Sequence, residues 1–203
     1  MRPRRRGKPL RVCRPVPVRV RECELSSEGV RRRPPCRSTL VRVSRDLSSR
    51  MVDPIGPDDH IRGPADSGEL IVYAEFSCPD CAVAAARIKE SDLRVAFRHF
   101  ALESRSPRAV KLAIASEAAG RQGLFWEFHD SLFGDQGHLD DPHLWQRCEM
   151  LGIDLDRFEA DRRDPLLAER VARDGVDAMR AGATGAPSFV IDGVLANSLP
   201  AAG

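Results

Sequence analysis

The sequence predicts an α/β fold, and three observations predict it. Two short apolar stretches of strand character, Glu69–Phe76 and Leu93–Phe100, flank a run of strong helix formers. A long helical pattern follows from Pro107 to Ala181. A short strand at Ser188–Ile191 and an Asp192-Gly193 hairpin signal come after it. The order is therefore β-α-β, an inserted helical block, then a β-hairpin. A crossover helix between neighbouring strands of one sheet makes those strands parallel.

The elements follow in chain order. The first fifty of the 203 residues hold 15 Arg and one Lys against four acids (Glu22, Glu24, Glu28, Asp46), a charge of +12. Residues 51–203 carry −10, so the net +2 is the sum of two chemically different segments. The first contains Arg4-Arg5-Arg6, Arg31-Arg32-Arg33 and six Pro, with only scraps of apolar sequence. It cannot bury enough apolar area to offset the entropy of ordering, and disorder is expected over 1–50. A basic arm for nucleic acid is one reading. The segment has no aromatic residue on which a base could stack. Met51, the second Met of the chain, directly precedes domain-like sequence. The favoured reading is a start codon placed too early, and no nucleic-acid partner is expected. The basic start lacks the apolar core of roughly 7–15 residues that a signal peptide needs, and no stretch approaches the roughly 20 apolar residues of a membrane span. The expected location is the cytoplasm. Cys13, Cys23 and Cys36 match no metal-ligand spacing and receive no role.

The domain is expected over 51–203, long enough for one core. Asp53–Gly68, rich in Pro, Gly and Asp, reads as an irregular lead-in. Glu69–Phe76 suits a buried strand by its length and its β-branched and aromatic content. Ala82–Glu90 is Ala-rich and helical, and Leu93–Phe100 alternates as a second strand. In the helical insertion, about 105–181, Val110, Ile114 and Ala118 recur at helical spacing before a break at Gly120–Gly123. Leu124–Phe133 is an aromatic helix in which Phe125, Trp126, Phe128 and Phe133 read as core and His129 as a packing residue. Asp141-Pro142 starts a third helix with Leu144, Trp145, Cys148 and Leu151 on one face, and Cys148 is expected to be buried and inert. Asp154–Asp161 and Pro165–Arg180 give two more helices, and Gly182–Gly185 ends the block.

The chemistry lies in Ser77-Cys78-Pro79-Asp80-Cys81, between the first strand and the first helix. A lone CxxC is either a metal site or a redox pair. Zinc needs four ligands. The domain offers only Cys148, far along the chain, and His138 and His143, which span a helix-breaking Asp141-Pro142. No metal is expected. A redox pair needs a strand that delivers the first Cys to a helix N-terminus, where unpaired N–H groups and the helix dipole favour a thiolate. Pro79 suits that first turn, since its missing N–H would have no partner there. Cys78 would be the exposed sulfur and Cys81 the shielded one.

These residues resemble the active site of DsbA-like thioredoxin-fold proteins. The likeness extends to Asp59-His60-Ile61-Arg62-Gly63-Pro64, Arg98-His99-Phe100, Ala118-Ala119, Phe125-Trp126-Glu127-Phe128-His129-Asp130, Leu151-Gly152-Ile153-Asp154 and Gly185-Ala186-Pro187-Ser188-Phe189. It covers about residues 57 to 195 and is strongest toward bacterial cytoplasmic members, including the domain fused to some sodium/proton antiporters. The resemblance implies a thioredoxin-like fold and thiol–disulfide exchange. Cys78 would attack, Cys81 would resolve, and Pro79 and Asp80 would tune the pair. Ala186 and Pro187 would hold a substrate strand through a cis-proline loop. It implies no cofactor beyond the Cys78–Cys81 disulfide. Partners would be thiol- or disulfide-containing proteins, with a small thiol or a reductase as electron donor.

The sequence departs from that family in three ways. The acid usually found six residues before the first Cys is Val72 here. Glu75 lies three before Cys78, on the opposite face by strand alternation, so proton removal from Cys81 is expected to rely on water. Ala186 is smaller than the Thr or Val usual at its position. The chain stops soon after the hairpin signal, so the family's terminal helix is expected to be missing and one sheet face partly bare. Asp80 opposes thiolate formation where an imidazolium would favour it, which predicts a more reducing couple than in Cys-Pro-His-Cys relatives. Three functions follow in order: a thiol–disulfide oxidoreductase, a non-catalytic thioredoxin-fold binding or regulatory module, and a basic-armed nucleic-acid binder.

Overall fold

The computed structural model describes residues 52–196, 198 and 199. The segment expected to be disordered, the boundary expected at Met51 and Cys13, Cys23 and Cys36 lie outside the described residues, as does most of the chain end where the terminal helix is expected to be missing. The described elements are β1 (His60–Arg62), β2 (Glu69–Ala74), α1 (Pro79–Lys89), β3 (Arg94–His99), α2 (Ala109–Gly120), α3 (Phe125–Gly134), α4 (Asp141–Leu151), α5 (Leu155–Asp161), α6 (Pro165–Ala181), β4 (Ser188–Ile191) and β5 (Val194–Ala196). They form a mixed sheet in the order β1-β3-β2-β4-β5. β2 and β3 are parallel, with Leu70 opposite Val95 and Ala74 opposite His99. The other pairings are antiparallel.

The punctuation of the helical block is chemical. Asp140, Asp154 and Asp164 cap α4, α5 and α6 by accepting backbone N–H groups of His143, Arg157 and Leu166, each satisfying a donor that the first turn leaves free. Gly152 and Gly182 end α4 and α6 in the left-handed conformation that glycine adopts without strain.

Strand alternation divides the core between the two sheet faces. Leu70, Val72, Ala74, Val95 and Phe97 join Ala84 and Ile88 of α1 and Phe125, Phe128 and Leu132 of α3. Ile71, Tyr73, Ala96 and Val190 point the other way and pack with Phe100, Ala178 and Ala183. Each fully buried Leu or Phe contributes about 1.5–3 kcal/mol, so both faces stabilise the domain.

Three expectations need correction. The lead-in is not wholly irregular, because His60–Arg62 pair antiparallel with Val95–Phe97 as β1. Three residues are too few to carry a period, and the strand is fixed by contacts remote in sequence. Trp126 Nε1 donates to the Ile61 carbonyl at 3.1 Å, and Gly63 ends β1 at φ +99°. The second sheet face is not bare, since Ile71, Tyr73 and Val190 are buried there beneath the end of α6, with Val52 and Ile55 of the lead-in packed against them. Trp145 does not share the buried face of α4. It is 42% exposed and donates to Glu159 at 3.0 Å, while Arg147 is buried beside Leu144 and Cys148. Arg147 donates to the Asp135 and His138 carbonyls, and these bonds offset the desolvation of its charge.

Candidate functional site

β2 ends at Ala74, and Glu75-Phe76-Ser77 carries the chain to the N-terminus of α1. Cys78 is the N-cap of that helix and Pro79 opens its first turn. Cys78 Sγ accepts the Cys81 backbone N–H at 3.4 Å, in the place a serine or aspartate oxygen fills in an ordinary cap. The same sulfur donates to the Ala186 carbonyl at 3.5 Å. Cys78 is half-buried and Cys81, one turn in, is fully buried, and both are free thiols. Burial is the largest cause that pushes the Cys81 thiol up, well above the ordinary thiol range. Asp80 lies exposed in the first helical turn.

The loop that faces Cys78 follows Gly182, and its Ala186-Pro187 peptide bond is cis. β4 starts at Ser188, whose hydroxyl donates to the Gly185 carbonyl at 2.6 Å. Arg105 reaches across from the β3–α2 connection and donates to the Thr184 carbonyl at 2.9 Å. Gly185 makes room for it, because a Cβ there would stand 3.0 Å from Arg105 Nη1. The helical insertion braces the other side. Gln136 donates to the carbonyls of Phe76 and Cys78 at 2.8 and 2.9 Å, which fixes the turn that presents the sulfur. Cys78, Cys81, Ala186 and Pro187 thus lie at one end of the sheet. Glu75, Arg105 and Gln136 join them there, and sequence reasoning gave those three no place in the site.

Beneath this end lies a buried polar cluster. Glu117 Oε1 accepts from His60 Nε2 and from His99 Nε2, each at 2.9 Å. Arg170 Nε stands 2.9 Å from the same oxygen as an ion pair without hydrogen-bond alignment. Burial alone would raise the Glu117 pKa, but the bonds from His60 and His99 outweigh it and hold the carboxyl well below the carboxylate range. His99 N–H also donates to Asp174 at 3.1 Å. The one signal for Glu117 in the sequence is its position, a lone acid in the Ala-rich helix Ala109–Gly120. His129 packs among Phe76, Phe97, Trp126 and Phe133, and burial pushes its pKa down to about 4 despite its contact with Asp130. Cys148 is buried away from the pair, and burial raises its pKa to about 11. Among the described residues, no helix is long and apolar enough to cross a membrane.

Comparison with known proteins places this geometry. Residues 69–201 match the family model of the DSBA-like thioredoxin domain. Over 171 residues the chain is 39% identical to the Na(+)/H(+) antiporter NhaA 1 of Salinispora arenicola, covering 80% of this chain and 26% of that protein. It is 38% identical over 156 residues to the NhaA antiporter of Herminiimonas arsenicoxydans, covering 73% and 25%. The chain therefore spans about a quarter of the length of these curated relatives. Among solved structures, a thioredoxin-like oxidoreductase from Silicibacter pomeroyi superposes with a TM-score of 0.62 at 23% identity, over 69% of this chain and 83% of that one. The thiol-disulfide exchange protein alpha-DsbA2 of Wolbachia pipientis gives 0.59 at 18% identity, over 68% and 77%. At such identities the structural likeness speaks for the fold alone.

Proposed function

Because this chain belongs to the DSBA-like thioredoxin domain family, we propose that it is a thiol–disulfide oxidoreductase working through Cys78 and Cys81. One observation carries the reading. A half-exposed sulfur sits at a helix N-cap, takes an N–H from the residue three positions on, and faces the Ala186-Pro187 loop. Amide donors aimed at a sulfur stabilise its thiolate, the form that attacks disulfides. The Cys78 thiolate attacks one sulfur of a substrate disulfide. The substrate S–S bond breaks and its other sulfur leaves as a thiolate. Cys81 then attacks Cys78, closes the internal disulfide and frees the second substrate sulfur. Ala186 and Pro187 would guide the substrate backbone past Cys78. Substrates would be protein or small-molecule thiols and disulfides, with a small thiol or a reductase restoring the dithiol and no further cofactor.

The test is reduction of insulin disulfides, or refolding of a scrambled disulfide protein, by the chain and by Cys78→Ser. Turnover is expected with the chain and none above background with the variant. Equal rates would count against the assignment. Val72, standing where the family usually has an acid, favours one second reading, a thioredoxin-fold module that binds a partner without turnover. That reading gains if the chain captures a thiol partner yet never cycles.

Asp80 would set the poise. A carboxylate in the first turn disfavours thiolate character nearby, so the pair would act as a reductant, as suits the cytoplasm. Asp80→His is expected to raise the reduction potential. The side chain is exposed, so its charge is worth about 0.5–1 kcal/mol, or about 10–20 mV for a two-electron couple. Equilibration against glutathione measures this, and an unchanged or lower potential would exclude Asp80 from the tuning.

A further inference from the structure

Glu75 leaves the sheet one residue after β2 and is buried, with 9% of its surface exposed. Its Oε1 accepts from the Ser77 hydroxyl at 2.9 Å, while Oε2 is buried without any hydrogen-bond partner. An unpartnered buried carboxylate oxygen is costly and calls for a reason. Glu75 lines a cavity of about 40 Å³ together with Cys78, Phe100, Leu102, Arg105 and Ala186. That volume admits a water, and the wall offers polar groups to hold one.

Among the described residues, none that lines the other side of the pair is an acid. The small cavity beneath Cys81 is bordered by Val72, Ala74, Ile88 and Phe97, with Arg62 and His129 as its ionisable neighbours. Val72 occupies the site where a carboxylate could have faced Cys81. Arg62 is paired with Asp130, and His129 Nδ1 is bonded to the same carboxylate.

We propose that Glu75 is the proton-exchange group of the Cys78–Cys81 pair, working from the face of the sheet opposite Val72 through the cavity it shares with Cys78. The proposal rests on the thiol–disulfide reading. Cys81 holds its proton chiefly because it is buried, and both the backbone and the charge of Glu75 act on it. In the resolving step the Cys81 S–H proton passes to the carboxylate of Glu75, whose backbone lies against the Cys81 thiol and whose side chain lines the cavity beside Cys78. The Cys81 sulfur attacks Cys78 Sγ, the internal disulfide forms, and the bond from Cys78 to the substrate breaks. The electron pair leaves on the substrate sulfur, which takes the proton back from Glu75. The substrate disulfide gains two electrons over the cycle and the cysteine pair loses two.

The experiment uses one equivalent of dithiobis(nitrobenzoate), an aromatic disulfide, with the full chain in which Cys13, Cys23 and Cys36 are replaced by serine. Cys78 releases the first coloured thiolate by attack, and Cys81 releases the second by resolution. In Glu75→Gln the first phase is expected within about twofold of the parent. The second phase is expected to slow at least about a hundredfold at pH 7, the lower end of what general-base catalysis contributes. The gap should close at alkaline pH, where hydroxide takes the Cys81 proton directly. Glu75→Asp, which keeps the carboxylate, should restore most of the second phase. A second phase that is unchanged or faster in Glu75→Gln would overturn the proposal, and so would an equal slowing of both phases at every pH. If the parent releases the second thiolate and Glu75→Gln does too at the same rate, Glu75 loses its role while the oxidoreductase reading stands. If the parent never releases it, both fall.

Discussion

Glu117→Ala is expected to cost about 3–5 kcal/mol of folding stability, the range for removing one partner from a buried ionic cluster. The carboxylate is 5% exposed and is the shared acceptor for His60, His99 and the Arg170 guanidinium. Its removal leaves a 17%-exposed guanidinium without that counter-charge, and a buried His99 and a half-buried His60 without the acceptor for their ring N–H groups. The loss reaches β1 through His60, β3 through His99 and α6 through Arg170, so the cooperative unit weakens as a whole. The pH dependence has a definite sign. The folded carboxyl is held below its ordinary value of 4.5, so its stabilisation is fully present above that pH and fades as pH falls below it. Urea unfolding should show the full gap between parent and variant at pH 7 and a narrowing gap in acid below 4.5. A gap under about 1 kcal/mol at pH 7 would mean the cluster is no better than a solvated pair.

What the sequence made legible depended on the range of the forces involved. β2 was readable as a continuous apolar run rich in β-branched and aromatic residues, β3 by alternation and the helices by their helix formers and helical spacing, with Asp and Gly marking the ends of α4 and α6. The placement of Cys78 at a helix N-cap was readable because strand, Cys-Pro and helix formers are contiguous. β1 was not readable, since nothing within three residues distinguishes a strand from a turn. Its determinants lie about 35 to 65 residues away in Arg94–His99 and Trp126. Asp59-His60 and Arg98-His99 could each be recognised as a motif, yet the sequence could not say that they meet, with Asp59 on Arg98 and His60 and His99 on one carboxylate. Strand alternation sets Glu75 on the face opposite Val72. The facing wall was not legible, because it is assembled from Phe100, Leu102 and Arg105 after β3 and from Ala186 in a loop more than a hundred residues later. Gln136 left no trace at all, because a polar residue after a helix is ordinary until the carbonyls it reaches are known.

Asp59→Ala is the companion case, at about 3 kcal/mol, the lower end of the cost of stranding one partner of a buried pair. Asp59 meets Arg98 through two bonds of 2.8 Å, Nε to Oδ1 and Nη2 to Oδ2, with 10% and 7% of the side chains exposed. The paired fork is the strong geometry for guanidinium and carboxylate. Burial would raise the Asp59 pKa, but the Arg98 bond and the Gly56 N–H outweigh it, so the acid stays ionised in the fold. Arg98 also donates to the Asp53 and Pro54 carbonyls and to Tyr73, which ties the lead-in to the middle of the sheet. Removing the carboxylate leaves the guanidinium buried with only neutral acceptors. The consequence should be local as well as global, with faster amide exchange across Val52–Arg62 than in α3 or α4. Replacing both residues, as Asp59→Leu with Arg98→Met, removes the stranded charge and should recover part of the loss, because apolar substitutes often match a buried ion pair. Recovery should stop short of the parent, since the Asp53 and Pro54 carbonyls lose their donor. A double variant as unstable as Asp59→Ala alone would locate the cost in the anchoring of the lead-in rather than in the unpaired charge.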